Sequence, residues 1–485
     1  MRWLRDWIIR HPWFGGTCGL VAVLWGTHEF LNWQAERRWR LYAEQARARG
    51  VKLLLTEFAT PEIPDAENFA ALPIMRAAFS NGTQPFDLQY GRTMPDRGNA
   101  LKGTRIDWKA WQKYLLEAGL IKNTTEDAIR DVLRVLDSRQ DELAQWREWR
   151  TRPKSRFPLD LQAGLAMPFH HFSALQGAAV YFTMRMRANL ALGDSTAAGE
   201  DFRDGLQAYR AIVDDPTLIS GLVRMSVFSI LVGGVGEGLR DRTWAGVDLQ
   251  KIETELATIR VWDDYRLAFA SERGFGNSIY ETLLKAPRPQ RGALITPFLL
   301  GISPTAFSTA VALAPRRLIR DNQLRQNQIF DELLARADRG RSAVIDTEPT
   351  PSAPEHITDP VGRMYFFLFR ISAPGFGLFG GSYASTAVRI DQARLACALE
   401  RHRLLHGAFP ETLDALMPHF LPSLPPDPWS GAPYHYRRTE AGSFLLYSVG
   451  ENRVDDGGVI DTKKKSEKQQ PDAVWLYAPL PRNSD

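Results

Sequence analysis

The chain has 485 residues, 44% of them hydrophobic and 24% charged, which excludes an intrinsically disordered scaffold and allows several packed domains. Lys and Arg number 60 against 56 Asp and Glu, and a net charge of +4 spread over this length gives no reason to expect a nucleic-acid partner. The 14 Trp and 25 Phe call for large buried surfaces. Two cysteines, Cys18 and Cys397, lie far apart without a CxxC or Cys/His neighbourhood, which argues against a zinc or redox centre.

Arg2, Arg5 and Arg10 precede an apolar run over residues 13–33 whose most hydrophobic part is 18–25. A helix rises 1.5 Å per residue, so about 20 such residues span the hydrocarbon core, and Trp13, Trp25 and Trp33 suit interface depth. No small-residue cleavage site follows, so the run is read as an uncleaved membrane anchor covering 1–34. Arg37, Arg38, Arg40, Arg47 and Arg49 lie beyond it, and by the positive-inside rule they place the body in the cytoplasm. Long domains translocate with limited regard to charge, so charge alone leaves topology open.

An α-helical body, an irregular α-helical array, is read over 35–341. Trp39, Tyr42, Ala46, Val51 and Leu54 continue an amphipathic helix until prolines near 60–65 end it. A short helix is expected over 68–75 and an irregular, Gly- and Pro-rich connection over 80–107. Helical spacing returns over 107–120 and 125–149, with Thr125 as a helix start. The segments 173–192 and 196–212, separated by Gly193-Asp194, form a hairpin similar to a tetratricopeptide unit. Further helices follow at 216–239 and 247–259. The run 294–313 is apolar but broken by Pro297, Gly301 and Pro304, which makes a buried or membrane-surface segment a better reading than a second span. Over 316–337, Asn322, Gln323, Gln326, Asn327 and Gln328 make one helix side strongly polar. A proline-marked linker and an aromatic docking segment occupy 342–381.

A C-terminal α+β domain is read over 382–485. Val388, Leu395 and Leu399 recur at helical spacing over 387–405. Tyr434 and Tyr436 alternate with His435 and Arg437 before a turn and a second strand over 444–449, and a third strand fits 474–477. The ordered blocks Ala398-Leu399-Glu400, His406-Gly407-Ala408-Phe409-Pro410-Glu411, Asp427-Pro428-Trp429-Ser430-Gly431-Ala432-Pro433-Tyr434 and Tyr447-Ser448-Val449-Gly450 carry a resemblance. Together they are similar to the soluble domain of the major pseudopilin of type II secretion systems. The whole chain also resembles large membrane-anchored bacterial proteins that end in this unit. Several hundred residues separate the anchor from the similar domain, unlike the pseudopilin arrangement, so assembly into a pseudopilus is not expected.

The resemblance implies calcium in the loop after the second strand. Glu451, Asn452, Asp455, Asp456 and Asp461 supply oxygens there, and the ligands expected are Asn452, Asp455, Asp456 and Asp461. A solvated acidic turn explains the same residues. His170-His171 lacks a carboxylate at ligand spacing and reads as structural, as do His402 and His406. Gly233-Gly234-Val235-Gly236 lacks a Rossmann context and reads as a close helix contact. The expectation is a mainly α, non-enzymatic, membrane-anchored protein, its bulk extracytoplasmic, whose partners are the membrane and other envelope proteins and not nucleic acid. The alternative is an extracytoplasmic enzyme whose active site is a pocket of ionisable groups in the helical body.

Overall fold

A computed structural model describes residues 12–86, 95, 105–295, 304–339, 358–372, 376–439, 442–459 and 472–475. The fold is mainly α, with a small three-strand antiparallel sheet near the C-terminus. In chain order the helices are α1 (Pro12–Ala48), α2 (Pro73–Asn81), α3 (Trp108–Glu117), α4 (Ala128–Asp137), α5 (Gln140–Trp149), α6 (His170–Ala191), α7 (Ser195–Arg210) and α8 (Leu218–Arg240). They continue with α9 (Gly246–Ala257), α10 (Val261–Lys285), α11 (Arg288–Ile295), α12 (Pro304–Leu313), α13 (Arg316–Arg339), α14 (Pro360–Tyr365), α15 (Phe367–Ser372) and α16 (Phe376–His406). The strands are β1 (His435–Thr439), β2 (Ser443–Ser448) and β3 (Ala473–Trp475).

Side-chain caps set many of the starts. Asp107, Asp127 and Asp194 each accept the backbone N–H three residues on, at 2.9, 3.0 and 2.9 Å, which satisfies one of the donors a helix N-terminus leaves open. The cap of α4 is therefore Asp127 and not Thr125, whose own N–H is taken by Asp131 at 2.6 Å. The helical stretch over 125–149 divides into α4 and α5, and the short helix expected over 68–75 becomes a 3-10 turn, Phe69–Ala71, before α2 opens at Pro73. Pro73 suits that first helical position because its missing N–H has no intrahelical role there. The linker over 342–357 and most of the irregular connection over 87–104 lie outside the described residues.

Two compact units divide the chain. The larger comprises Thr60–Phe269, Ala335–Thr347 and Gly377–Asp485. Its centre is the α6–α7 hairpin with α8. Gly193, at φ +85°, ends α6 in a left-handed turn that a side chain would strain, and Asp194 caps α7 immediately after. Glycines let the helices close up: a Cβ at Gly234 would sit 2.1 Å from Met186 Cε, and one at Gly238 2.3 Å from Trp244 Nε1. Among the described residues α8 alone sustains the mean hydropathy of a full span over 18 residues, and 67% of that window is buried inside the protein, as in a core helix; the apolar turns of α1 are shorter, and residues 1–11 of the expected 1–34 anchor lie outside the described residues.

Aromatic rings fill the space beside α6. Phe86 lies 4.4 Å from Tyr181, 5.1 Å from Phe182 and 5.5 Å from Trp146, measured between ring centres. Trp146 Nε1 donates to the Asp204 carbonyl at 3.0 Å, so its polar edge is not stranded. Asp201 and Asp204 are buried beneath Arg185 (3.0 Å), Arg147 (2.7 Å) and Arg150. Burial pushes the Asp201 carboxyl up to about 6, against the pull of Arg185.

The sheet order is β1-β2-β3, with His435 opposite Tyr447, Thr439 opposite Ser443 and Leu446 opposite Trp475. Helix α16 starts eleven residues before the predicted 387 and reaches both the sheet and the other helices. Gln392 Nε2 donates to the Ala473 carbonyl at 2.6 Å, and Tyr434 donates to Asp391 at 3.2 Å. Arg394 meets Glu253 of α9 at 2.9 Å, and Arg389 meets Ser229 of α8 at 2.9 Å. Trp475 closes over Gly236, whose Cβ position lies 3.5 Å from the indole.

The second unit comprises Met1–Ala59, Ala270–Leu334 and Glu348–Phe376. Along α1, Leu20, Val21, Val23, Leu24, Trp25 and Phe30 are exposed, whereas Ala35, Trp39, Ala43 and Ala46 are buried. Helix α13 runs beside the packed part in the same direction. Its Arg317 N–H donates to Asn32 Oδ1 at 3.0 Å, Arg320 pairs with Glu36 at 2.8 Å, and Asp331 accepts Tyr42 at 2.9 Å. The polar side of α13 is turned inward: Asn322, Gln323, Gln326 and Asn327 are all buried. Asn327 and Asn277 exchange amide hydrogen bonds at 2.7 and 3.0 Å, with Gln323 adding a third at 3.2 Å.

Candidate functional site

The turn after β2 is built from two buried aspartates that sequence reading did not single out as site residues. Asp427 accepts the Trp429 N–H at 3.0 Å, the Ser448 hydroxyl at 2.8 Å and the Val449 N–H at 3.2 Å, which ties the 427–434 loop to the end of β2. Asp472, just before β3, accepts the N–H groups of Asp456 at 3.4 Å and Gly458 at 2.7 Å. Gly458 has φ +71°, and a Cβ there would come within 2.8 Å of the Tyr447 ring. The available signal was positional: a carboxylate at the mouth of a strand is placed to receive the unpaired N–H groups of the adjoining turn.

Three of the four expected ligands fall in this turn, and Asp461 lies outside the described residues. Asp455 accepts the Gly457 N–H and the Tyr447 hydroxyl, each at 2.9 Å, and faces His435 at 3.4 Å. Those two hydrogen bonds, led by Gly457, hold its carboxyl below the usual range. Asn452 turns its Nδ2 to Asp456 at 2.8 Å and its oxygen to the Val454 N–H at 3.1 Å. The Asp472 carboxyl is shifted upward by burial and further by the charges of Asp456 and Asp455, while the N–H groups of Gly458 and Asp456 oppose the shift. Calcium takes six to eight oxygens. Among the described residues no three His, Cys, Asp or Glu side chains converge as such a shell would require, and the Asn452 amide presents nitrogen rather than oxygen.

A cavity of about 330 Å³ lies where the end of α9, the start of α10, Ala337 and α16 meet. Arg260, Trp262, Asp263, Arg266, Asp391 and Arg394 line it. Most of its charges already have protein partners: Arg394 engages Glu253 at 2.9 Å, Arg266 reaches the Ala337 carbonyl at 2.7 Å, and Asp391 receives Tyr434 at 3.2 Å. Arg260 is the exposed cation at its rim. The arrangement suits recognition of a small polar molecule and holds no nucleophile with a base in reach among the described lining residues.

His171 is fully buried among Phe79, Phe157 and Phe172, with Nε2 3.2 Å from Asp215. This buried pair joins α6 to the start of α8, whereas His170 is exposed. His402 Nδ1 meets the Ala408 carbonyl at 2.9 Å, which turns that ring onto the backbone after α16. Gly233 and Gly234 lie against Arg187 and Met186 of α6, as expected of a close helix contact, whereas Gly236 faces Trp475 of β3. No family model, curated protein or solved structure matches this chain.

Proposed function

We propose that this protein is held in a membrane by the first turns of α1, ends in a pseudopilin-like α+β domain, and works at the cell envelope through contacts with other proteins. One observation carries the reading: a single unbroken helix exposes Leu20, Val21, Val23, Leu24 and Trp25, then packs Ala35, Trp39, Ala43 and Ala46. Exposed leucines and valines on successive turns are unfavourable in water by roughly 25 cal/mol per Å² of apolar surface, and lipid removes that penalty. The long helix α16 laid on an antiparallel sheet agrees in outline with the C-terminal resemblance.

The test is alkaline carbonate extraction of membranes carrying the full chain, followed by protease treatment of sealed vesicles from each side. Retention in the pellet is expected, with the body cut from the extracytoplasmic side. Release by carbonate overturns the anchor, and cleavage from the cytoplasmic side alone overturns the orientation.

Calcium ordering of the 451–461 turn belongs to the same proposal. Its support is the repulsion that the charges of Asp456 and Asp455 exert on the Asp472 carboxyl, which a divalent cation would offset. The expected result is a higher melting temperature of the full chain with calcium than with chelator, and loss of that difference in Asp456→Asn. Equal melting in both solutions removes the metal.

A second reading, an extracytoplasmic enzyme acting in the helical body, is favoured by the cavity around Arg260, Trp262, Asp391 and Arg394. Turnover that disappears in Arg260→Ala or Trp262→Ala would select it over the first.

A further inference from the structure

Arg288 and Arg316 lie near Arg291 in the unit that contains α1, and Lys285 adjoins Ala286, whose carbonyl Arg291 takes. Lys285 ends α10, Arg288 and Arg291 lie on α11, and Arg316 opens α13. Helices α11 and α12 approach so closely that a Cβ at Gly292 would lie 2.5 Å from the Ser308 carbonyl oxygen. Arg291 is only 5% exposed and donates to two backbone carbonyls, Ala286 at 3.2 Å and Ala314 at 3.1 Å. Among the described residues no carboxylate pairs with any of the four; Glu281, the nearest acid on α10, is taken by Arg320. Burial, then the charges of Arg288 and Arg316, shift the Arg291 guanidinium downward, as expected of like charges held together.

Arg316 is tied to α1 through its neighbour. Arg317, next to Arg316, donates its N–H to Asn32 at 3.0 Å, and Asn32 is where the exposed apolar turns of α1 give way to packed ones. Leu313 is 72% exposed and Leu294 39% exposed, on the two helices that carry or flank the cations. Positive charge without acidic partners, flanked by exposed leucines and level with the end of an apolar run, matches a bilayer in order: hydrocarbon, then phosphate.

We infer that Lys285, Arg288, Arg291 and Arg316 form a binding site for the phosphate of an anionic phospholipid, with Leu294 and Leu313 entering the acyl boundary beside it. The inference rests on α1 being the anchor. The site fixes how the helical unit meets the bilayer surface, because a headgroup at this depth neutralises charges the protein leaves unpaired.

The full chain in neutral detergent micelles is titrated with phosphatidylglycerol, with phosphatidylcholine and with inorganic phosphate, and bound lipid is counted by native mass spectrometry. Phosphatidylglycerol is expected to bind in preference to phosphatidylcholine, and 10 mM inorganic phosphate is expected not to displace it. Arg288→Gln with Arg316→Gln changes two exposed side chains and so spares the fold. At roughly 1 kcal/mol for each basic residue near a surface, the double variant should bind phosphatidylglycerol about 30-fold more weakly. Equal binding of the two lipids, an unchanged double variant, or displacement by inorganic phosphate overturns the inference. Carbonate extraction of the same preparations separates the failures. A retained protein with an unchanged double variant loses only the lipid site, whereas a released protein loses the anchor and the site together.

Discussion

The two units solve the same packing problem with different chemistry. Around α6, α7 and α8 the larger unit sets glycine-permitted contact and stacked rings, with Gly234 against Met186 and Phe86 against Tyr181, beside buried ion pairs such as Arg185 on Asp201. Beside α1 the other unit buries amides and ion pairs, with Asn277, Gln323 and Asn327 bonded to one another and Arg320 shared by Glu36 and Glu281. Apolar contacts lose stability in proportion to the volume removed. Buried polar groups lose it when one partner goes and the other is left without a bond. The identity of the partner therefore decides the amide network beside α1, and the fit of shapes decides the glycine and ring contacts of the larger unit.

Substitutions can separate these two modes. The largest effect is expected from Trp475→Ala, which empties the space over Gly236 and should lower unfolding free energy by about 3–5 kcal/mol in denaturant titration. A loss below about 1 kcal/mol would mean that β3 contributes little to the larger unit.

Asn327→Ala should lose about 1–3 kcal/mol by leaving the buried Asn277 Nδ2 without its acceptor. The paired replacement Asn277→Leu with Asn327→Leu should lose less than the sum of the single changes, and strict additivity in that cycle would break the partner argument. Gly238→Ala sets the shape argument its own test. Its Cβ would press on Trp244 and Leu190, so a loss of about 1–3 kcal/mol is expected, and the variant Gly238→Ala with Leu190→Ala should recover part of it.

The smallest effect concerns acid. Burial works to raise the Asp131 carboxyl, but hydrogen bonds from the Thr125 N–H and Gln112, both at 2.6 Å, outweigh it and hold the group below its ordinary value. A depressed carboxylate contributes fully above the unfolded range near 4 and loses that contribution as pH falls through the folded value. Asp131→Asn should therefore differ from the parent by on the order of 1 kcal/mol at pH 7 and by less at pH 2, read from urea midpoints. An equal difference at both values would show that the hydrogen bonds, and not the charge, hold the turn.

Local signals were well expressed in the chain. Asp107, Gly193, Asp194 and the alternation after Tyr434 each act within a few residues, and the helices and the hairpin form where they point. The candidate site was only partly readable. The turn of Asn452, Asp455 and Asp456 was recognised, but its fastening by Asp472 depends on a strand that returns from sixteen residues beyond Asp456. The amides of α13 were visible as a polar side, yet nothing local shows that the side turns inward, because the groups that satisfy it stand on α10, some fifty residues earlier.

By itself the sequence determined many of the helical segments, though not all of their ends, the hairpin near the C-terminus and the apolar start of α1, since hydrogen bonding and side-chain periodicity over a few residues dictate these. Only the tertiary structure decided that the C-terminal helix and sheet pack into the larger unit through Arg394, Arg389 and Trp475, that His171 meets Asp215, and that Arg288 and Arg316 gather about Arg291. Each of these brings together residues distant along the chain, and the free energy that does so comes from burying surface and satisfying polar groups across elements, which no local pattern records.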